Sequence, residues 1–315
     1  MTQSRAIAPV RTLHQAYLWR LLQAMLPLGQ RFNLLLLLLL RTDGYFAVPW
    51  GRHWLTIPAA WLDVASSASA PIYQTPRRQN PEFFALLAPQ IDASRGGCIV
   101  DVGANIGVYT LNIRARTAAP LLAFEPEPSS FRLLCHNVAA NGLAGVTIKN
   151  CACGDWTGEV GFQGGINGAV AGRAGEPNGT FPVPVVRLDD ELRDFSAVDL
   201  IKIDCEGFEW HVLNGCGETI AAKRPVLFVE LHPKLIGNYD RTLAQVCDLL
   251  RPHYGLAFWD INPAQRSRSR LRRFLSRYRQ RLVPLASEAA ALALAAREPR
   301  PDQLFLLALP HDRAP

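Results

Sequence analysis

The stretch Cys98–Glu125 constrains this chain more than any other part of it. It reads Cys-Ile-Val-Asp101-Val-Gly103-Ala-Asn105-Ile-Gly107-Val-Tyr-Thr, then an apolar-faced segment, then Leu121-Leu-Ala-Phe124-Glu125-Pro126. An apolar run that ends in an acid and a glycine turn predicts a buried strand feeding a helix. Gly103 and Gly107 permit a sharp turn and close packing. The helix that follows offers unpaired backbone N–H groups and the positive end of its dipole. A second short strand brings Glu125 to the same sheet edge, 22 residues after Gly103. A carboxylate there can accept both hydroxyl protons of a ribose, which points to a nucleoside-containing cofactor.

The identity of that cofactor turns on two absent glycines. Counted from Gly103, the dinucleotide fingerprint needs glycine where this chain has Asn105 and Val108, so the close approach of a pyrophosphate is blocked. What remains is an acid two residues before a Gly-x-x-x-Gly turn, which suits a smaller zwitterion. The amino-acid tail of S-adenosylmethionine is such a group, with its carboxylate on the helix N-terminus and its ammonium near Asp101.

Around this stretch, apolar runs alternate with helical periodicity, as in a parallel sheet covered on both faces. Strands are expected at 98–102, 121–124, 146–150, 198–204, 226–231, 256–260 and 304–309, and helices at about 81–91, 106–117, 128–140, 209–221 and 240–251. The fold class is therefore α/β, a doubly wound, mostly parallel sheet of seven strands. Residues 81–315 form the main domain, with 262–300 inserted before the last strand and 1–80 a helical and hairpin extension. The glycine-rich stretch Gly158–Gly179, with strand-like ends at Val160–Phe162 and Phe181–Val186, reads equally as a surface excursion or as a lid. In such sheets ligands bind outside the carboxyl ends of the strands. Those ends carry Asp101, Glu125, Asp204 with Glu206, and Glu230 with His232.

Three motifs in order, Val-Asp101-Val-Gly-Ala-Asn-Ile-Gly107, Phe-Glu125-Pro and Lys202-Ile-Asp204-Cys-Glu206-Gly-Phe-Glu209, closely resemble the FkbM-type S-adenosylmethionine-dependent methyltransferases. The resemblance covers roughly Pro81–Asp260 and a final strand near Leu304–Leu309. It implies a class I, Rossmann-like methyltransferase fold and transfer of a methyl group to a hydroxyl of a sugar, glycan or secondary metabolite. It also implies that Asp101, Gly103, Asn105 and Gly107 hold the methionine moiety and Glu125 the ribose. The turn Cys151-Ala152-Cys153-Gly154-Asp155 would lie beside the adenine, with Asp155 a partner for its amino group. Asp204 would sit next to the sulfonium methyl and the acceptor.

The sulfonium carbon is already electrophilic, so such a protein mainly aligns and desolvates the reactants. An alcohol acceptor holds its proton tightly, and Asp204, Glu206, Glu209 and His232 are candidate bases, with Asp204 or His232 preferred because both should face the cavity. No metal is demanded, although the carboxylates could hold a divalent cation. Lys202 is expected to pair with a carboxylate on a neighbouring strand, and Asn137 to be structural. A nicotinamide-dependent oxidoreductase and a non-catalytic scaffold are the alternatives; the missing glycines oppose the first, and the intact Asp101, Glu125 and Asp204 the second.

Charge is unevenly placed. Arg266–Arg281 holds eight arginines and no acids, which exceeds the net charge of +6 of the whole chain, so the remainder is mildly acidic. That argues against a general nucleic-acid binder, whose basic residues would spread over a face of the fold. Leu271, Phe274, Leu275, Tyr278 and Leu282 fall on one face of an expected basic amphipathic helix. It either packs on the enzyme with solvated arginines or, over 266–282, touches anionic lipid headgroups or an anionic substrate. In the extension, Leu13, Tyr17, Leu21 and Met25 mark a helix over 11–26, Ser66–Ser69 a linker, and Tyr45–Pro49 and Trp54–Pro58 a hairpin. The Leu34–Leu40 run falls far short of the ~20 apolar residues of a span and reads as packed core. Seven cysteines without metal-site spacing read as small buried hydrophobes in a reducing compartment. The expected location is cytoplasmic, with peripheral membrane contact as the variant.

Overall fold

The computed structural model describes residues 45–50, 53–58, 81–164, 168–172, 180–261, 282–297, 301 and 303–313. The expected helix over 11–26, the Leu34–Leu40 run, the linker at 66–69 and the arginine-rich helix up to Arg281 lie outside these residues.

The described residues open on the expected antiparallel hairpin, β1 (Tyr45–Trp50) and β2 (His53–Pro58), each strand one residue longer than expected because Trp50 pairs with His53. There follow α1 (Pro81–Asp92), β3 (Cys98–Val102), α2 (Val108–Arg114), β4 (Leu121–Phe124), α3 (Pro128–Ala140) and β5 (Val146–Lys149). A second group comprises β6 (Ala152–Gly154), β7 (Gly158–Gln163), β8 (Ala169–Gly172), β9 (Thr180–Arg187) and the short α4 (Leu188–Glu191). The chain then returns through β10 (Val198–Asp204), α5 (Glu209–Asn214), α6 (Gly217–Lys223), β11 (Val226–Leu231), a 3-10 turn at Ile236–Tyr239 and α7 (Leu243–Leu250). It closes with β12 (Tyr254–Ile261), β13 (Leu282–Pro284), α8 (Glu288–Ala295) and β14 (Leu304–Pro310).

The main sheet runs β13-β12-β14-β11-β10-β3-β4-β5. The strands from β5 to β11 are parallel, and β14 is antiparallel to both of its neighbours. Successive side chains point to opposite faces, and each face has its own core. Val100, Val102, Ile201, Ile203, Leu227 and Val229 belong to one, and Ile99, Leu121, Leu200, Val226 and Phe228 to the other. A sheet buried on both sides is the reason these strands read as continuous apolar runs.

Four expectations need correction. The sheet has eight strands, not seven, because Leu282–Pro284 adds an antiparallel edge to β12. Leu282 therefore starts a strand rather than ending the apolar stripe of a helix, and Pro284 is tolerated there because an edge strand needs no second row of donors. The glycine-rich stretch holds more than its two strand-like ends: β7 and β9 stand there as expected, and β8 within the stretch and β6 before it complete a four-stranded sheet, β6-β9-β7-β8. Pro182 and Pro184 fit within β9 because its pairing with β6 begins only at Val185, beyond both prolines. Third, the residues expected as a turn at 151–155 include β6, which pairs in parallel with β9. Fourth, the helix expected over 209–221 is broken at Gly215, where a Cβ would lie 1.9 Å from the Gly154 carbonyl oxygen. Asp189 caps the second piece, accepting from the backbone N–H of Thr219 at 2.8 Å and of Glu218 at 3.1 Å.

The hairpin is fastened to α3 by two amides. Asn137 accepts from Thr56 N at 2.7 Å and donates to Thr56 O at 3.2 Å; Asn141 does the same with Trp54 N and O, both at 2.7 Å. Asn137 also donates to Ile106 O at 2.8 Å, inside the turn after β3. Leu55 and Ile57 are fully buried. Among the described residues no helix is long and apolar enough to cross a membrane.

Candidate active site

The sheet register brings the acidic strand ends side by side. Val102 pairs with Phe124 on one side and Ile203 on the other, and Asp204 pairs with Glu230. Glu125, the glycine turn, Asp204 and Glu230 therefore stand in a row along the carboxyl edge of β4, β3, β10 and β11.

The turn after β3 is built from left-handed backbone at Gly103, Asn105 and Gly107, with φ of +70°, +51° and +98°. Gly103 is also a close approach: a Cβ there would sit 1.8 Å from the carbonyl oxygen of Asp204. Glu125 clamps this turn. Its Oε2 accepts from Asn105 N at 2.7 Å and its Oε1 from Glu127 N at 2.8 Å. Burial pushes its pKa up to about 7, against the pull of those two N–H donors. Each oxygen keeps a second lone pair for a ligand.

Asp101 lies beneath the turn, with no exposure. Its Oδ2 accepts from Thr110 Oγ1 at 2.6 Å, and its Oδ1 is 3.0 Å from Lys202 Nζ. Lys202 donates further to Gly103 O at 2.9 Å and Val102 O at 3.2 Å, and lies 4.7 Å from the centre of the Tyr109 ring. Burial alone would lower its pKa, but Asp101 and Asp204 outweigh that and raise it. The expected pairing of Lys202 with a neighbouring strand's carboxylate is present, and the pair supports the turn from below.

At the other end of the row, His232 is 2 % exposed. Its Nδ1 is 2.7 Å from Glu209 Oε1, while Nε2 lies 3.4 Å from Glu206 Oε2 and 3.9 Å from Asp204 Oδ1. Burial would lower the imidazole pKa, but Glu209, Glu206 and Asp204 together raise it to about 10. His232 therefore carries a proton at neutral pH in this arrangement and does not accept one. Glu209 is fully buried and also accepts from Gly207 N at 2.9 Å, so it holds the loop and the imidazole. Burial raises the pKa values of Glu206 and Glu230, to which the Asp204 charge adds. Glu206 sits at φ +49°, the strained kind of backbone that clusters at functional sites.

Ala152 and Asp155 are held by the protein itself. Ala152 is buried in β6, and Asp155 pairs with α5, its Oδ1 3.0 Å from His211 Nδ1 and its Oδ2 accepting from Asn214 at 3.1 Å. Sequence reasoning overlooked His211 and Thr110. Thr110, nine residues after Asp101 and in the first turn of α2, is the more accessible of the two from spacing.

Comparison with known proteins finds a family match and distant relatives. Residues 101–255 match the family model described as Methyltransferase FkbM domain. Methyltransferase sdnD of Sordaria araneosa is 31% identical over 156 residues, covering 38% of this chain and 60% of that protein. The 31-O-demethyl-FK506 methyltransferase FkbM of Streptomyces tacrolimicus is 26% identical over 198 residues, 52% of this chain and 74% of that protein. The crystal structure of Methyltransferase FkbM from Methylobacillus flagellatus KT superposes with a TM-score of 0.38 and 19% identity, covering 61% of this chain and 49% of that one. The chain spans about three fifths of the length of the Sordaria relative. The glycine turn, Glu125, Asp204, Glu206, Glu230 and His232 all fall within residues 101–255, the segment that matches the Methyltransferase FkbM domain.

Proposed function

We propose that this chain is an S-adenosylmethionine-dependent O-methyltransferase whose acceptor is a hydroxyl of a sugar, glycan or secondary metabolite, free or carried on a lipid or polymer. The observation that carries this reading is the clamp of Glu125 on the turn Gly103–Gly107, with Asp204 one strand away. A carboxylate with a lone pair remaining on each oxygen suits the two hydroxyls of a ribose. The start of α2 carries no side-chain cap, which suits the carboxylate of an amino-acid tail.

When bound, the cofactor supplies an electrophilic methyl group on a sulfonium. The chain's own residues do the rest. Asp101 and Lys202 set the height of the turn, and Glu125 fixes its closure. Asp204 and Glu206, whose side chains are 28% and 19% exposed, are the carboxylates an acceptor can reach at the mouth. Glu206 is placed to take the acceptor's proton, and His232 and Glu209 behind it are positioning residues. Isothermal titration with S-adenosylhomocysteine and with NAD tests the reading. Heat with the first and none with the second supports it, and the reverse assigns the turn to a nicotinamide cofactor. Binding without methyl transfer across a broad panel of alcohols would leave only a cofactor-binding scaffold.

A further inference from the structure

The carboxyl ends of β10 and β11 hold more ligating groups than proton transfer needs. One oxygen each from Asp204 and Glu230 and one nitrogen of His232 all lie within 4.8 Å of one another. Asp204 and Glu230 are register partners, so the sheet sets their spacing, and His232 follows one residue past the end of β11. A group of acids alone would mean little. The second observation is His232 itself: it is 2 % exposed, yet among the described residues its Nε2 makes no hydrogen bond. That nitrogen is aimed at Asp204 and Glu206, 3.9 and 3.4 Å away. Meanwhile Nδ1 is occupied by the Glu209 carboxylate at 2.7 Å. A carboxylate behind one ring nitrogen, with the other pointing outward, is how metal-ligating histidines are held.

We propose that Asp204, Glu230 and His232 bind one divalent cation of the first transition row, with Mn²⁺ the best match. Two carboxylate oxygens favour a hard ion such as Mn²⁺, and the imidazole favours a transition metal over Mg²⁺ or Ca²⁺. Ligand atoms at ~2.1 Å from one ion are at most ~4.2 Å apart, so the set must contract slightly. Asp204 and Glu230 are only partly buried and can turn inward. The proton on His232 leaves to solvent as the ion binds. Three protein ligands leave further coordination positions facing the mouth beside Glu206. That an acceptor oxygen takes one of them rests on the proposed function; binding of the ion does not.

The test uses the full chain, stripped with a chelator and titrated with Mn²⁺ in the absence of cofactor, following loss of the electron paramagnetic resonance signal of the free ion. One ion per chain is expected, bound roughly tenfold or more weakly by E230Q and by D204N, and unchanged in D248N, a surface position. E209Q, which touches no ion, should weaken binding by roughly 10–100-fold through the imidazole. No uptake at millimolar Mn²⁺, or uptake unaffected by E230Q and D204N, overturns the site. Should H232Q fail to fold, E230Q is near-isosteric and carries the test alone. Titration of the same samples with S-adenosylhomocysteine reads the turn separately, so failure of one proposal is not failure of the other.

Discussion

Glu125 Oε2 accepts the backbone N–H of Asn105 at 2.7 Å, so the acid that ends β4 also closes the turn after β3. The group proposed to meet the ribose and the group that shapes the turn are one side chain. Replacing it should injure both roles. E125Q is expected to bind S-adenosylhomocysteine more weakly by ~1.5–3 kcal/mol, the value of hydrogen bonds to a charged group. Calorimetric titration measures this. In the unmodified chain the affinity should climb as pH passes through about 7, where Glu125 ionises, while E125Q should show no such rise from this group.

The same carboxyl leaves a mark on stability. Its folded-state pKa of about 7 lies above the ordinary value of 4.5, so the folded chain holds this proton more tightly than the unfolded one. Its contribution is thus fully present below about pH 4.5 and lost as pH rises to about 7. Over that window the unmodified chain should lose ~3 kcal/mol relative to E125Q, read from urea unfolding of the two proteins at each pH.

Lys202 and Asp101 form a buried pair, 3.0 Å apart and 2% and 0% exposed. K202M strands a buried carboxylate and should cost ~3–5 kcal/mol in urea denaturation. The double variant D101N/K202M should cost clearly less than the sum of the single changes, because neither residue is then left as a lone charge.

Two glycines with positive φ should respond differently. At Gly142, with φ of +61° and nothing within 4 Å of an added Cβ, alanine meets only backbone strain, ~1 kcal/mol. At Gly103 the new Cβ falls 1.8 Å from Asp204 O, so β10 and the turn must part. G103A should lower the melting temperature further than G142A, and only G103A should abolish S-adenosylhomocysteine binding.

Asn137 joins Thr56 of the hairpin to Ile106 of the turn. N137A leaves buried backbone groups at both ends without their partner and should cost ~2–3 kcal/mol. Limited proteolysis should show cutting near the hairpin at a protease concentration the unmodified chain resists.

Much of this architecture can be read from the chain because its strands are buried on both faces and end in acids. The apolar runs of β3 and β4 have no amphipathic ambiguity, β10 shows a period-2 alternation, and Asp101, Glu125 and Asp204 stand at or next to their ends. Long-range contacts are another matter. The break at Gly215 depends on Gly154, 61 residues earlier, whose carbonyl oxygen fills the space of a side chain. In the small sheet Val160–Phe162 and Phe181–Val186 read as strand-like, whereas the short strands Ala152–Gly154 and Ala169–Gly172 carry no such signal and are set by pairing with distant partners. The family resemblance offers Asp155 to an adenine; only the fold brings His211 and Asn214 to it. The charge state of His232 likewise depends on Glu209, 23 residues earlier, arriving at its ring.

The amides of Asn137 and Asn141 on α3 have a consequence for how the molecule behaves in company. Spaced one helical turn apart, they take up the outward N–H and C=O groups of Trp54 and Thr56. That border of β2 offers no template on which a foreign strand could grow, and a helix has supplied the seal that charges or prolines give elsewhere.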